Sequence, residues 1–261
     1  MAGLVIIGAM GRMGQALQEA ALAAGQPVVG LVDRPELSGA PSPVAGVSVR
    51  CTPTWQEVVE PGRVAIDFSS PAATIALLKA AAVHKTALVI GTTGMGPEGE
   101  AAVREAAQHV PVVYAANYSV GVNLLLELVE KAARILNAKQ FDAEIVEAHH
   151  KHKKDAPSGT ALMLANSLAK GRGVNLSDVA NYGREGLTGE RPEGQIGIHA
   201  VRGGDVVGDH TVSFLGEGER VMISHLATSR RTFAEGAVRA AVWASSKQPG
   251  LYTMRDVLGF D

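Results

Sequence analysis

Along residues 1–117, short apolar β-branched runs alternate with stretches whose apolar positions recur every three or four residues. The runs "GLVIIG", "PVVGLVD", "RVAIDFS", "TALVIGTTG" and "PVVYAAN" predict buried strands, and "GVSV" (46–49) predicts a further short one. Between them, "RMGQALQEAALAAG" predicts a helix stopped at Gly25, and "SPAATIALLKAAAVHK" one with Pro71 in its first turn. "PEGEAAVREAAQHV" predicts a third helix, and "TWQEVVEPG" (54–62) a short one with Thr54 as N-cap. Repeated βα alternation of this kind gives a parallel, doubly wound sheet with helices on both faces.

Beyond residue 120 the rhythm changes. "GVNLLLELVEKAARIL" has helical spacing, "FDAEIVEAHH" reads as a strand, and "SGTALMLANSLAKG" as a helix ending near Gly171. Residues 172–194 are rich in Gly, Arg and Glu and read as a long loop, a length that usually signals function. "QIGIHAVR", "VVGDHTVSFLG" and "RVMISHLA" then follow as strands with no helix between them. That pattern predicts a second, α+β domain with a mostly antiparallel or mixed sheet. "TFAEGAVRAAVWASS" and "TMRDVLG" close the chain as helices.

Composition narrows the function classes. The 261 residues are 46% hydrophobic and 19% charged, enough to bury a core in each of two domains. A net charge of −2 gives no general attraction to nucleic acid. The single cysteine, Cys51, cannot form an internal disulfide, which fits a reducing, cytoplasmic compartment. No apolar run reaches the length of a membrane span.

Candidate chemistry lies in two places. "GLVIIGAMGRMGQAL" sets Gly8, Gly11 and Gly14 between a strand and a helix. Glycines there let backbone approach a pyrophosphate at the helix N-terminus, although they also simply permit tight strand–helix packing. Asp33 ends the second strand about 20 residues beyond Gly14, where an acidic side chain can bind an adenosine ribose. Arg34 beside it can pair with a 2′-phosphate, so both NADH and NADPH are expected; a solvated surface charge is the other reading. Arg12, inside the turn, is a further phosphate candidate. "DFSSP", "GTTG" and "AANYSVGVN" fall at later strand ends, the edge where open α/β sheets bind ligands.

The second place is "EAHHKHKKDAPSGT" (147–160). A metal site lacks carboxylate or thiolate partners and the lysines repel a divalent cation. Nucleic-acid binding lacks interleaved aromatics. A solvated charge run is the bland alternative, but it does not explain why the run follows an apolar strand. An anion pocket explains more. Lys153 is a compact charge, histidine titrates near neutral pH, and the Gly159 and Thr160 N–H groups open a helix that can hold a carboxylate. A dicarboxylate that must also receive a proton would use all of these.

Together "GAMGRMG", "GTTG", "NYSVGVN", "EAHHKHKKDAPSGTA" and "GDHTVSF" resemble the 4-hydroxy-tetrahydrodipicolinate (dihydrodipicolinate) reductase family over nearly the whole chain. The resemblance implies a Rossmann-like cofactor domain, residues 1–120 plus 231–261, and a mixed-sheet domain for substrate binding and tetramerisation, residues 121–230, assembled into a homotetramer. It implies reduction of a cyclic imine dicarboxylate by NADH or NADPH, with no metal, no membrane and no nucleic acid involved. His149 matches the family's proton donor and acceptor, and Lys153 its second catalytic cation. His150, Gly159 and Thr160 match its substrate contacts. Gly8, Ala9, Met10, Gly11, Arg12, Met13, Asp33, Arg34, Gly91, Thr92, Thr93, Ala116, Asn117, Tyr118 and Ser119 match its cofactor contacts. Met10 stands where the family often has Gly, Asp33 where Glu is common, and Tyr118 where Phe is common. Closure about hinges near residues 120 and 230 is expected to exclude water.

Overall fold

A computed structural model describes residues 1–260. The chain divides into two units: Met1–Val120 joined by the C-terminal segment from Arg230, and Gly121–Ser229. The first unit begins β1 (Gly3–Ile7), α1 (Arg12–Ala23), β2 (Val28–Val32), β3 (Cys51–Thr52) and β4 (Arg63–Asp67). It continues α2 (Pro71–His84), β5 (Ala87–Ile90), α3 (Gly96–Ala107) and β6 (Pro111–Tyr114). The second holds α4 (Val120–Ile135), β7 (Phe141–His149), α5 (Gly159–Arg172), α6 (Leu176–Val179), β8 (Ala180–Asn181), β9 (Ile196–Arg202), β10 (Gly208–Gly216) and β11 (Arg220–Ala227). The chain then returns to the first unit as α7 (Arg231–Ala244), β12 (Gly250–Tyr252) and α8 (Met254–Leu258).

The first unit's sheet has the order β12-β6-β5-β4-β1-β2-β3, and every pairing is parallel. The chain starts in the middle at β1, winds outward to β3, and restarts on the other side at β4. The topological switch point therefore lies between β1 and β4, where ligands of such sheets bind beyond the carboxyl ends. Strand alternation serves two helix layers at once. Leu4 and Ile6 join a core with Leu17 of α1 and Ala237 and Ala241 of α7. Val5 and Ile7 join another with Leu77 and Leu78 of α2 and Val103 of α3. Burial on both faces is why β1 and β5 read as continuous apolar runs rather than alternating ones. Each fully buried Leu or Ile contributes about 1.5–3 kcal/mol.

Two local expectations in the first unit are corrected, and one strand is added. The strand predicted at "GVSV" lies five residues later, at β3, because it is Cys51 and Thr52 that pair with Leu31 and Val32. The helix predicted over 54–62 shrinks to one 3₁₀ turn, Trp55–Glu57, and the Thr54 side chain caps nothing. A β-branched pair (Val58, Val59) and Pro61 follow that turn and do not extend it. β12 has no counterpart among the predicted elements; its three residues, Gly250–Tyr252, follow Pro249 and carry no period, and pairing with β6 supplies the strand.

The second unit's sheet is mixed, in the order β11-β10-β7-β9-β8. β7 runs parallel to β9, and β10 antiparallel to β7 and β11. One face packs Ile145, Ile198, Val212 and Phe214 against Leu125, Val129, Leu164 and Leu168 of α4 and α5. Gly171 lets those helices meet, since a Cβ there would lie 2.4 Å from the Glu130 carbonyl oxygen. The opposite face leaves Val146, Val201, Met222 and Leu226 exposed.

The expected loop over 172–194 contains α6 and β8, and its remainder is tied down by one carboxylate. Glu144, on the open face of β7, accepts from Arg184 (2.9 Å), from Arg191 Nε (2.9 Å) and from His199 Nε2 (2.6 Å). Burial alone would raise its pKa, but Arg184, His199 and Arg191 outweigh that and hold it at about 2.

Candidate active site

At the switch point β1 runs into the glycine turn. Gly8 adopts φ +71°, a left-handed geometry that favours glycine. Gly14 is needed for a different reason: a Cβ there would lie 2.2 Å from the Gly8 carbonyl oxygen and 2.5 Å from the Ala9 carbonyl carbon. The third glycine therefore sets how closely α1 approaches the turn. Gly11 is the N-cap of α1, no side chain caps that helix, and its first turn carries no acidic residue. Ala9 is buried, Met10 and Met13 are partly buried, and Arg12 is exposed.

Asp33 closes this turn. Its carboxylate accepts the Met10 N–H at 2.8 Å and the Arg34 N–H at 2.8 Å. The side chain expected at a ribose therefore also holds the glycine turn in shape. Arg34 extends outward, its guanidinium 3.9 Å from Asp33.

The ends of β4, β5 and β6 are also organised by buried polar groups. Asp67 is fully buried and accepts from the Ser69 N–H (2.9 Å) and the Thr74 hydroxyl (2.6 Å). Thr74 in turn lies 2.9 Å from Thr92 Oγ1. Burial pushes the Asp67 pKa up, against those two donors. Gly91 lies under Phe68, whose ring would be 2.2 Å from a Cβ there. Thr93 and Ala116 are exposed, while Asn117 accepts the Ser119 N–H. Tyr118 is fully buried, with its hydroxyl on the Ile90 and Val113 carbonyls, so its ring is core and only its backbone is left to offer a ligand.

In the second unit β7 carries Glu147 and His149 on its helix-covered face, two residues apart and so on the same side. His149 is 8% exposed and Glu147 is 0% exposed. His149 Nδ1 is 2.6 Å from Glu147 Oε2. Arg202 stands opposite His149 in the β7–β9 register and grips both Glu147 oxygens, at 2.9 and 2.8 Å. The Ser158 N–H donates to Glu147 Oε1 at 3.0 Å. Burial would raise the Glu147 pKa, but Arg202, His149 and the Ser158 N–H together lower it.

Ser158 is also the N-cap of α5, accepting the Ala161 N–H. Its hydroxyl lies 3.1 Å from His210 Nε2, and the His210 ring meets His149 edge-on at 5.1 Å. Burial, then the neighbouring His149, pushes the His210 pKa down to about 4. Gly159 opens α5 with free space around its Cβ position, Thr160 follows partly buried, and no acidic residue occupies that first turn. Lys153 is mostly covered and pairs with Asp155 at 2.9 Å. His150 is partly buried, with its main-chain N–H on the Val206 carbonyl. Lys151, His152 and Lys154 are exposed, so for them the solvated reading of the charge run applies.

Glu147, Ser158, Arg202 and His210 were missed by the sequence reading. The period of two in "EAH" marked Glu147, and "GDHTVSF" contained His210 without giving it a role. Arg202 had no signal short of the β7–β9 pairing. Among the described residues, no group of three or more His, Cys, Asp or Glu side chains is placed to hold a metal ion. No helix among them is long and apolar enough to cross a membrane.

A 3-2-1-4-5-6 parallel sheet extended by β12 beyond β6, with a glycine turn at its switch point and followed by a mixed-sheet unit bearing a carboxylate-held histidine, defines a two-unit nicotinamide-nucleotide oxidoreductase. Comparison with known proteins makes this specific. Family models described as dihydrodipicolinate reductase, N-terminus and C-terminus, match residues 2–118 and 121–258. The 4-hydroxy-tetrahydrodipicolinate reductase of Acinetobacter baumannii (strain AYE) is 50% identical over 98% of this chain and 96% of its own length. That of Thiobacillus denitrificans (strain ATCC 25259 / T1) is 50% identical over 98% of each chain. The dipicolinate-bound dihydrodipicolinate reductase from Paenisporosarcina sp. TG-14 shares the fold, with a TM-score of 0.77 at 24% identity over 97% of both chains. The chain belongs to the dihydrodipicolinate reductase family.

Proposed function

We propose that this chain reduces 4-hydroxy-tetrahydrodipicolinate, a cyclic imine dicarboxylate, to tetrahydrodipicolinate in diaminopimelate and lysine biosynthesis. One observation carries the site assignment: a single buried carboxylate, Glu147, holds both the His149 imidazole and the start of α5. A proton-bearing ring and a helix N-terminus suited to a carboxylate are thus fixed to one another. Lys153 adds positive charge on the same segment, and a second substrate carboxylate would draw it from Asp155. Gly159 and Thr160 take one carboxylate by their N–H groups, and His150 is a further substrate contact.

The first unit fits a dinucleotide. Gly8, Gly11 and Gly14 shape a turn that opens an uncapped helix without acidic residues, which suits a pyrophosphate. Gly8 to Met13 would hold the phosphates, Asp33 the ribose, and Gly91 to Thr93 with Ala116 to Ser119 the nicotinamide half. Asp33 favours NADH and Arg34 accepts the extra phosphate of NADPH, so both nucleotides serve. A reduced nicotinamide supplies the hydride when bound. Substrate and product differ by hydrogen in place of the ring hydroxyl, so one hydride and one proton enter and water leaves. His149, with Lys153 lowering the cost of negative charge nearby, handles that proton. The chain crosses between units at residues 120–121 and 229–230, and these crossings serve as hinges.

The open sheet face of the second unit supports a homotetramer, because Val201, Met222 and Leu226 are each more than half exposed there. The free thiol of Cys51 suits a reducing cytoplasm. The test is loss of reduced-nicotinamide absorbance when the imine is generated in situ by the preceding aldol condensation. Absorbance that falls equally without the imine, or not at all with it, overturns the reading.

A further inference from the structure

We propose that Glu147 is the positioning residue of the proton step: clamped by Arg202, it fixes His149 as the Nδ1–H tautomer and leaves Nε2 as the atom that gives and regains the proton. This deepens the reading of the site given above and rests on it.

The argument begins with what a carboxylate can do. Arg202 offers two parallel N–H donors, one to each Glu147 oxygen, and also donates to the Asp155 carbonyl at 2.6 Å. That bidentate pair keeps Glu147 ionised although no part of it reaches solvent. An ionised carboxylate only accepts, so the 2.6 Å contact to His149 Nδ1 requires the proton on Nδ1. The other ring nitrogen is then the exchangeable one. In the protonated ring, Nε2–H passes its proton to the substrate as the hydride arrives. What remains is the neutral ring with Nδ1–H still donated to Glu147, and solvent restores the lost proton.

Two further features point the same way. Gly208 has no side chain on the Nε2 side; a Cβ there would lie 3.0 Å from His149 Nε2 and 3.5 Å from Cδ2. Gly208 needs no unusual φ, so what its missing side chain provides is space beside Nε2. The same carboxylate also takes the Ser158 N–H, so the ring is registered against the helix end proposed to hold a substrate carboxylate. One group thus sets both the tautomer of the proton donor and its distance from the anion site.

The test is Glu147→Gln, which keeps shape and removes the obligate acceptor. Turnover is expected to fall roughly 10- to 100-fold, less than removal of the imidazole itself, with KM for imine and nucleotide within about threefold of wild type. The independent readout is the ¹⁵N spectrum of the histidine rings, with His149 assigned by its loss in His149→Gln. Neutral His149 is expected as Nδ1–H in the wild type and as a tautomer mixture in Glu147→Gln. If the orphaned Arg202 prevents that variant from folding, Glu147→Gln/Arg202→Met removes the stray cation and carries the same expectation. Turnover within about twofold of wild type in whichever variant folds overturns the proposal. So does an Nε2–H tautomer in the wild-type protein, a measurement that needs no variant to fold. A wild-type protein that reduces no imine but shows the Nδ1–H tautomer sinks the assigned reaction and leaves the tautomer geometry standing.

Discussion

The two units build their sites from different material. In the first, the glycine turn, the Asp33 clamp and the strand ends present backbone N–H groups whose placement follows from local geometry. In the second, the candidate atoms are side chains held by other side chains: His149 by Glu147, Glu147 by Arg202, Ser158 by His210. A backbone site tolerates exchange of most side chains but not the addition of a methyl where chains touch. A side-chain site tolerates local crowding better but fails when one charge of the set is removed.

The strongest way to break that contrast is His149→Gln. If the second unit's site is its side chains, turnover should fall about 10²- to 10⁴-fold, the range for losing a general acid, while nucleotide affinity measured by fluorescence titration stays put. A matching loss of nucleotide affinity would make His149 part of the nucleotide site and erase the division of labour.

The contrast also governed what the sequence revealed. The β1–turn–α1 unit was legible because its period, its glycines and its helix start are contiguous, and the parallel sheet followed from βα alternation. The residues His149 and Lys153 were legible as types, since the run "HHKHKKDAPSGT" is dense in them. Their supports were not. Arg202 reaches Glu147 only because β7 and β9 pair in parallel with His149 opposite Arg202, and no local pattern encodes that register. Tyr118 shows the reverse: it belongs to a motif that reads as a cofactor contact, but its ring is fully buried and its hydroxyl serves the Ile90 and Val113 carbonyls.

A second test stays on β7 but moves to the face away from His149. Glu144 is held at about 2 against an ordinary 4.5. A carboxylate depressed in the folded state contributes stability that is complete above its unfolded pKa and is lost as pH falls through the folded one. Glu144 should therefore contribute on the order of 3 kcal/mol above about pH 4.5, decaying toward pH 2. Denaturant melts of Glu144→Gln should show that loss at pH 7 and little of it near pH 2. His210 adds a separate window, because its pKa of about 4 lies below the ordinary 6.5. Its contribution is complete above about pH 6.5 and lost as pH falls toward 4, so His210→Asn should flatten the stability profile there and not below.

Gly14→Ala probes the backbone site. The added methyl meets the turn at 2.2–2.5 Å, and those atoms are main chain that cannot swing aside. Overpacking of this kind costs about 1–3 kcal/mol. The expected signature is weaker binding of both nucleotides with turnover at saturation nearly retained, read from KM and kcat separately. A fall in kcat with KM unchanged would mean the turn acts on chemistry and not on binding.

The last test divides Asp33 between its two jobs. Its carboxylate holds the turn through the Met10 N–H, a contact that serves either nucleotide equally. Its proposed hydrogen bond to a ribose serves NADH alone, because the corresponding hydroxyl of NADPH carries phosphate. Asp33→Ala should then weaken NADPH modestly through the loosened turn and NADH by a further charge-assisted hydrogen bond, about 1.5–3 kcal/mol or roughly tenfold and upward in KM. Removing the carboxylate also frees the Arg34 guanidinium from its ion pair with Asp33, which favours the phosphate-bearing nucleotide. Equal weakening of the two would leave Asp33 as an anchor of the glycine turn and withdraw the ribose contact, so that the first unit would recognise its ligand by backbone alone.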